Sequence, residues 1–168
     1  MKCLLIIDVQ NGFVSERTKN VVPKIIGLME EFQNEFVIAT QFKNLDNSAF
    51  SKIMKWNGLK ETPETNLIKG VKERADLIIE KNTYTACTDE VLKLLKDKNI
   101  ADVYIAGIDT DCCVLKTAID LFENNIRPLV LSDYCASNGG KESHYAAIKV
   151  LQRTIGYNQI ITGVFQAN

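Results

Sequence analysis

The sequence predicts an α/β fold, a three-layer αβα sandwich of Rossmann-like type around a six-stranded, mostly parallel central sheet. Short β-branched runs alternate with segments of helical period along the chain, the pattern of βαβ units whose sheet is covered on both faces. Six runs qualify as strands, at residues 3–8, 35–40, 76–80, 102–108, 127–132 and 158–162. With 168 residues the chain fits one domain, 1–168, which can bury about 70% of the surface of its unfolded form without a staple. No repeat, linker or low-complexity segment interrupts the alternation.

Taken in order, the apolar run Cys3-Leu4-Leu5-Ile6-Ile7 ends on Asp8. Val22, Ile25, Ile26, Met29 and Phe32 then recur at helical spacing, with Pro23 tolerated in the first turn. Residues 41–75 break the pattern: they hold Phe50, Trp56, Pro63 and many polar groups, with a short helical pattern at Phe50, Ile53 and Met54. Such a stretch runs over the strand ends and can build a pocket wall. Lys69, Lys72 and Arg74, interleaved with Glu73 and Asp76, read as a solvated face.

Leu77-Ile78-Ile79-Glu80 leads to Lys81, and Thr88 can cap a helix with Asp89 and Glu90 in its first turn and Lys96 and Lys98 at its end, the order the helix dipole favours. The strand Val103-Tyr104-Ile105-Ala106-Gly107-Ile108 passes through Asp109-Thr110-Asp111-Cys112 to Cys113. The helix after it is expected to bury Leu115, Ala118, Ile119 and Phe122, with Lys116 and Asp120 paired on another face. The last helix starts after Gly139-Gly140, buries Ala147, Ile148, Leu151 and Ile155, and stops near Gly156.

Bulk properties narrow the partners. Twenty Lys and Arg against 21 Asp and Glu give a net charge of -1, which offers no electrostatic reason for nucleic acid or an anionic membrane. No apolar stretch approaches the roughly 20 residues of a bilayer span. Five cysteines, an odd number without zinc-like spacing, and a start running from Met1-Lys2 straight into a strand resemble neither a secreted disulfide framework nor a signal peptide. A cytoplasmic protein with reduced thiols and a small-molecule ligand is expected.

If the first, third and fourth runs are neighbouring parallel strands, Asp8, Lys81 and Cys113 emerge at one carboxyl edge, where open α/β sheets place their sites. A cysteine at a helix start is expected to have a lowered pKa, and the free N–H groups there can hold the oxyanion formed when sulfur attacks a carbonyl. Taken singly, each residue has a plainer reading: Cys112 and Cys113 as small core fillers, Asp8 as a turn acid serving Asn11-Gly12, Lys81 as a surface lysine. It is the joint arrangement that favours a site. His144, the one histidine, lies i,i+4 from Ile148 and i,i+7 from Leu151 and is expected to pack on the apolar face rather than act as a base. One histidine leaves no transition-metal ligand set, and Gly139-Gly140 lacks the rest of a phosphate loop.

These residues carry a family resemblance. Leu4 through Phe13, Ile79-Glu80-Lys81-Asn82-Thr83-Tyr84-Thr85-Ala86, Ala106 through Val114 with Thr117-Ala118, and Leu129 through Ser137 with His144 are similar, in order and spacing, to the isochorismatase-like cysteine hydrolases. That group includes nicotinamidases, N-carbamoylsarcosine amidases and maleamate amidases. The resemblance implies a catalytic triad of Asp8, Lys81 and Cys113, the nucleophile being the cysteine directly before the valine, and a cis peptide before Asp109. It further implies an oxyanion hole from the N–H groups of Asp109 and Cys113, and a homo-oligomer, dimer or tetramer. Nicotinamidases resemble one another in an Asp-x-His motif after the second strand, where this chain has Thr40-Gln41-Phe42-Lys43-Asn44. No metal and no cofactor is therefore expected.

The combined expectation is a cysteine hydrolase that cleaves a C–N bond of a small amide or carbamoyl compound through a thioester. Phe13, Phe42 and Trp56 are the expected pocket walls, each with a core-packing alternative. The rival readings are a thiol redox or sensor protein using Cys112 and Cys113, and a noncatalytic binding module on the same fold.

Overall fold

The computed structural model describes residues 2–165. Its sheet has six strands, all parallel: β1 (Cys3–Ile7), β2 (Phe36–Phe42), β3 (Leu77–Lys81), β4 (Asp102–Ile108), β5 (Arg127–Ala136) and β6 (Ile160–Ile161), in the spatial order β3-β2-β1-β4-β5-β6. The order reverses direction between β1 and β4, and open sheets of this type bind ligands beyond the strand ends at that reversal.

Alternate residues of the strands feed two cores. Leu4, Ile6, Val37 and Ala39 pack with Ile25, Leu28 and Met29 of α1 (Val22–Glu31) and Val71 of α3 (Lys69–Arg74), with the short α2 (Ala49–Lys52) between those helices in the chain. Cys3, Leu5, Ile7, Val103 and Ile105 pack on the other face with α4 (Asp89–Asp97), α5 (Leu115–Glu123) and α6 (Lys141–Thr154), through Val91, Leu95, Val114, Ala118, Leu121, Ile148 and Leu151. Burial on both faces explains why the central strands read as continuous apolar runs. Thr88 caps α4 as expected, its hydroxyl accepting from the Val91 N–H at 3.3 Å.

Three details depart from expectation. β2 and β5 run past their expected ends, so Phe42 is a strand residue in register with Lys81. β6 is only two residues long because Tyr157–Gln159 form a 3-10 turn. The buried line of α5 is Val114, Ala118 and Leu121, while Phe122 is 48% exposed. A π-helical turn at Thr110–Val114 buries Cys113 and Val114 first, and the i+4 and i+7 positions from Val114 then follow.

Gly107 fixes the approach of the two central strands. Its φ is +140°, and a Cβ there would stand 2.2 Å from the carbonyl oxygen of Ile7, so only glycine lets β4 meet β1 where both deliver their polar ends.

Candidate active site

Asp8 follows β1 with φ +49°, a left-handed conformation that aspartate tolerates better than most residues. The turn brings its carboxylate inward rather than over Asn11-Gly12, whose N–H groups bond Asn66 and Glu64 carbonyls instead. Thr40 of β2 holds it twice: its Oγ1 accepts from the Asp8 N–H at 3.2 Å and donates to Oδ1 at 2.6 Å. Oδ2 lies 2.6 Å from Lys81 Nζ, and both side chains are fully buried.

Lys81 closes β3. Its ammonium donates to the carbonyls of Thr83 at 2.9 Å and Tyr84 at 3.2 Å, stands 5.2 Å over the Phe42 ring, and is 3.6 Å from Cys113 Sγ. Its three N–H groups thus have two carbonyls and the sulfur as hydrogen-bond acceptors, and its contact with Asp8 is an ion pair. Among the described residues Oδ2 of Asp8 has no hydrogen-bond partner of good geometry, leaving it the oxygen with capacity to take a proton. The structure thus brings Asp8, Lys81 and Cys113 together from the ends of β1, β3 and the turn after β4.

The protonation state of the sulfur differs from expectation. Burial, and then the Asp8 charge, push the Cys113 thiol well above its ordinary value; Lys81 pulls it down by less, and the hydrogen bond to Asp8 adds to the rise. The resting group is a thiol, not the thiolate a helix start was expected to supply, because burial removes the water that would solvate the anion. The remaining cysteines behave alike. All five are free, and burial holds Cys3 and Cys135 at about 12 and Cys87 and Cys112 at about 11. That leaves little thiolate for redox exchange at neutral pH.

The π-helical turn begins after a cis Ile108–Asp109 peptide and is closed by the N–H groups of Cys112 and Val114, both donating to the Asp109 carbonyl at 3.2 and 3.1 Å. Of Asp109 and Cys113, whose backbone N–H groups were the expected oxyanion hole, the first therefore caps this turn and the second lies within it. The Asp109 carboxylate accepts from the Asn138 N–H at 2.8 Å and its Nδ2 at 2.9 Å, both at Oδ1. Burial, partly offset by those bonds, raises its pKa from 3.8 to about 6, with Asp111 and Asp8 adding to the rise. Asp111 turns away to accept from Ser137 Oγ at 2.5 Å.

A cavity of about 190 Å³ opens onto Cys113. Phe13, Phe42 and Trp56 line it, and so do Phe50, Met54 and Tyr84, with Asp109 and Cys112 beside the sulfur. The rings brace one another: Phe13 and Trp56 stack at 6.2 Å, and Phe50 meets Tyr84 edge-on at 4.9 Å. Sequence reasoning missed Thr40 and Asn138, which carry no motif of their own; Phe50, Met54 and Tyr84 lay inside segments already marked as wall or motif.

His144 does not join the apolar face as expected. It is half-buried with Nδ1 2.8 Å from Thr110 Oγ1, because α6 packs its first turns against the π-helical turn rather than the core. The segment where a metal set would stand is otherwise engaged. Thr40 serves Asp8, Gln41 donates to the Thr65 carbonyl, and Asn44 donates to the carbonyls of Trp56 and Gly58. Among the described residues no group of three or more His, Cys, Asp or Glu could hold a metal ion, so these residues do not fit one. No helix of the described residues is long and apolar enough to cross a membrane.

Comparison with known proteins matches residues 2–162 to the isochorismatase domain family. Isochorismatase family protein 1B of Dictyostelium discoideum is 29% identical over 156 residues, covering 89% of this chain and 69% of that protein. Two solved structures share the fold. An isochorismatase-like hydrolase from Alkaliphilus metalliredigens is 22% identical with a TM-score of 0.84, covering 96% of this chain and 94% of that one. A pyrazinamidase/nicotinamidase from Streptococcus mutans is 22% identical with a TM-score of 0.83, covering 96% of this chain and 100% of that one.

Proposed function

Since the chain belongs to the isochorismatase domain family, we propose that it is a hydrolase of that family which cleaves a C–N bond of a small amide or carbamoyl compound, with Cys113 as nucleophile, Asp8 as general base and acid, and Lys81 as the cation between them. The observation that supports this reading most is the buried contact chain from Asp8 through Lys81 to the Cys113 sulfur, 2.6 and 3.6 Å long. The amide substrate class named for the Streptococcus mutans neighbour agrees with it.

In the first half-reaction the Cys113 S–H proton passes to Asp8 as sulfur bonds the carbonyl carbon. A thiol held above its ordinary pKa needs this coupling, because no standing thiolate is available. Lys81 keeps the emerging thiolate and the carboxylate from facing each other uncompensated. The backbone N–H groups of Asp109 and Cys113 take the oxyanion. The C–N bond then breaks as Asp8 returns its proton to the leaving nitrogen, which departs as ammonia or an amine. In the second half-reaction Asp8 takes a proton from water, hydroxide adds to the thioester, and the C–S bond breaks with the proton returning to sulfur. The products are the carboxylic or carbamic acid and the free thiol.

No metal enters this scheme, since the residues Thr40 to Asn44, at the end of β2 and just beyond it, do not fit one. The test is ammonia release screened across small amides, ureides and carbamoyl compounds, with Cys113→Ala as control. At least one compound should be turned over by the wild type and not by the variant. Turnover that survives in the variant would remove Cys113 from the chemistry.

A further inference from the structure

The cavity wall contains a charge that the proposed chemistry does not use. Asp8 is paired with Lys81, whereas Asp109, on the same cavity, has no ion pair among the described residues. Its partner Asn138 is neutral, and both of its hydrogen bonds go to Oδ1. Asn138 is itself held fast: its Nδ2 also donates to the Phe13 carbonyl at 3.0 Å, its Oδ1 accepts from Ser15 at 2.7 Å, and its carbonyl accepts from Arg17 at 2.8 Å. One network thus sets the direction of the carboxylate and the place of the Phe13 wall.

Besides Asp109 and the two cysteines, the cavity is lined by Met54 and five aromatic rings, a kind of side chain whose face attracts cations. A carboxylate fixed on a ring-lined cavity, with no ion pair among the described residues, is complementary to one ligand chemistry. Resting on the amide-hydrolase reading, we propose that Asp109 is the specificity-determining residue of this site and selects a substrate whose small apolar frame carries a positively charged nitrogen, an ammonium or amidinium group, near the scissile carbonyl. The volume of about 190 Å³ limits that frame to roughly one ring or its aliphatic equivalent. Asp111, whose charge also bears on Asp109, is negative as well, so beside Asp109 an anionic ligand meets repulsion where a cationic one meets attraction.

Trp56 is the only tryptophan and lines the cavity, so its fluorescence reports occupancy without turnover. Benzylammonium, benzyl alcohol and benzoate, three probes of one frame, are titrated into the whole chain at pH 7.5. Benzylammonium should bind at least tenfold tighter than benzyl alcohol, with benzoate weakest, and Asp109→Asn should erase the preference by weakening benzylammonium at least tenfold. That substitution keeps the Oδ1 acceptor for Asn138, and the wild-type ranking stands alone if the variant fails to fold. Equal binding of the three probes, tighter binding of benzoate, or an unchanged benzylammonium affinity in the variant would overturn the assignment. Because the titration needs no chemistry, it can fail while amide hydrolysis stands, and hydrolysis can fail while it succeeds.

Discussion

Asp109→Asn is expected to stabilise the protein, and the size of the gain follows from where the carboxyl sits. Its pKa rises from 3.8 to about 6 on folding, chiefly through burial. The folded state therefore holds this proton more tightly than the unfolded chain, so the contribution is fully present below about pH 4 and is lost as pH rises through about 6. At about 1.4 kcal/mol per pH unit the loss has an upper limit of about 3 kcal/mol. Partial exposure of the side chain to the cavity brings the expected figure to about 1–3 kcal/mol.

Asparagine has no charge to desolvate and keeps the bonds from Asn138. Urea unfolding of wild type and variant at half-unit steps from pH 4 to 8 should show equal stability at the acid end and a variant advantage growing to that size by pH 7. His144, whose pKa burial lowers, titrates in both proteins and cancels in the difference. A wild type as stable as the variant at pH 7.5 would refute the claim that Asp109 is a buried charge kept for ligand recognition at the expense of stability.

Four further outcomes follow from the same geometry. Asp8→Asn removes the charge that, after burial, raises the Cys113 pKa most, so iodoacetamide should label Cys113 faster at pH 7 than in wild type while amide turnover disappears; slower labelling would contradict the assigned electrostatics. Lys81→Met leaves the Asp8 carboxylate buried and unpaired, which should cost about 3–5 kcal/mol in denaturant unfolding. Thr40→Val cuts both bonds on Asp8 and should lower kcat by up to about 100-fold with little change in KM, since it misplaces the base without touching the cavity. Gly107→Ala, with its Cβ against the Ile7 carbonyl, should lose well over 1 kcal/mol of stability.

The sheet was legible because its strands are buried on both faces. Runs such as Cys3–Ile7 and Val103–Ile108 have no polar residue to interrupt them, and the acids and lysine that end them mark the carboxyl edge. The family motifs around Asp8, Lys81 and Cys113 pointed to one cleft, and the fold brings the three side chains into it. What the sequence concealed were effects of tertiary environment. The raised Cys113 thiol depends on burial and on Asp8, more than a hundred residues away in the chain. The support that Thr40 gives Asp8 exists only because β2 lies beside β1. His144 looked apolar by its spacing from Ile148, yet α6 meets the π-helical turn at that point, and no helical periodicity encodes a neighbour's shape. The same turn displaced the buried line of α5 and left Phe122 outside.

The central claim is that sulfur of Cys113 becomes covalently bonded to the acyl carbon of the substrate. Acid quenching during turnover of the best amide from the ammonia screen, followed by peptide mass spectrometry, reads this directly. The account requires a mass increase equal to the acyl group on the peptide holding Cys112 and Cys113, fragmentation placing it on Cys113, and its absence from Cys113→Ala. An adduct on Cys112, or steady turnover with no acylated cysteine in any quenched sample and undiminished activity in the variant, would contradict it.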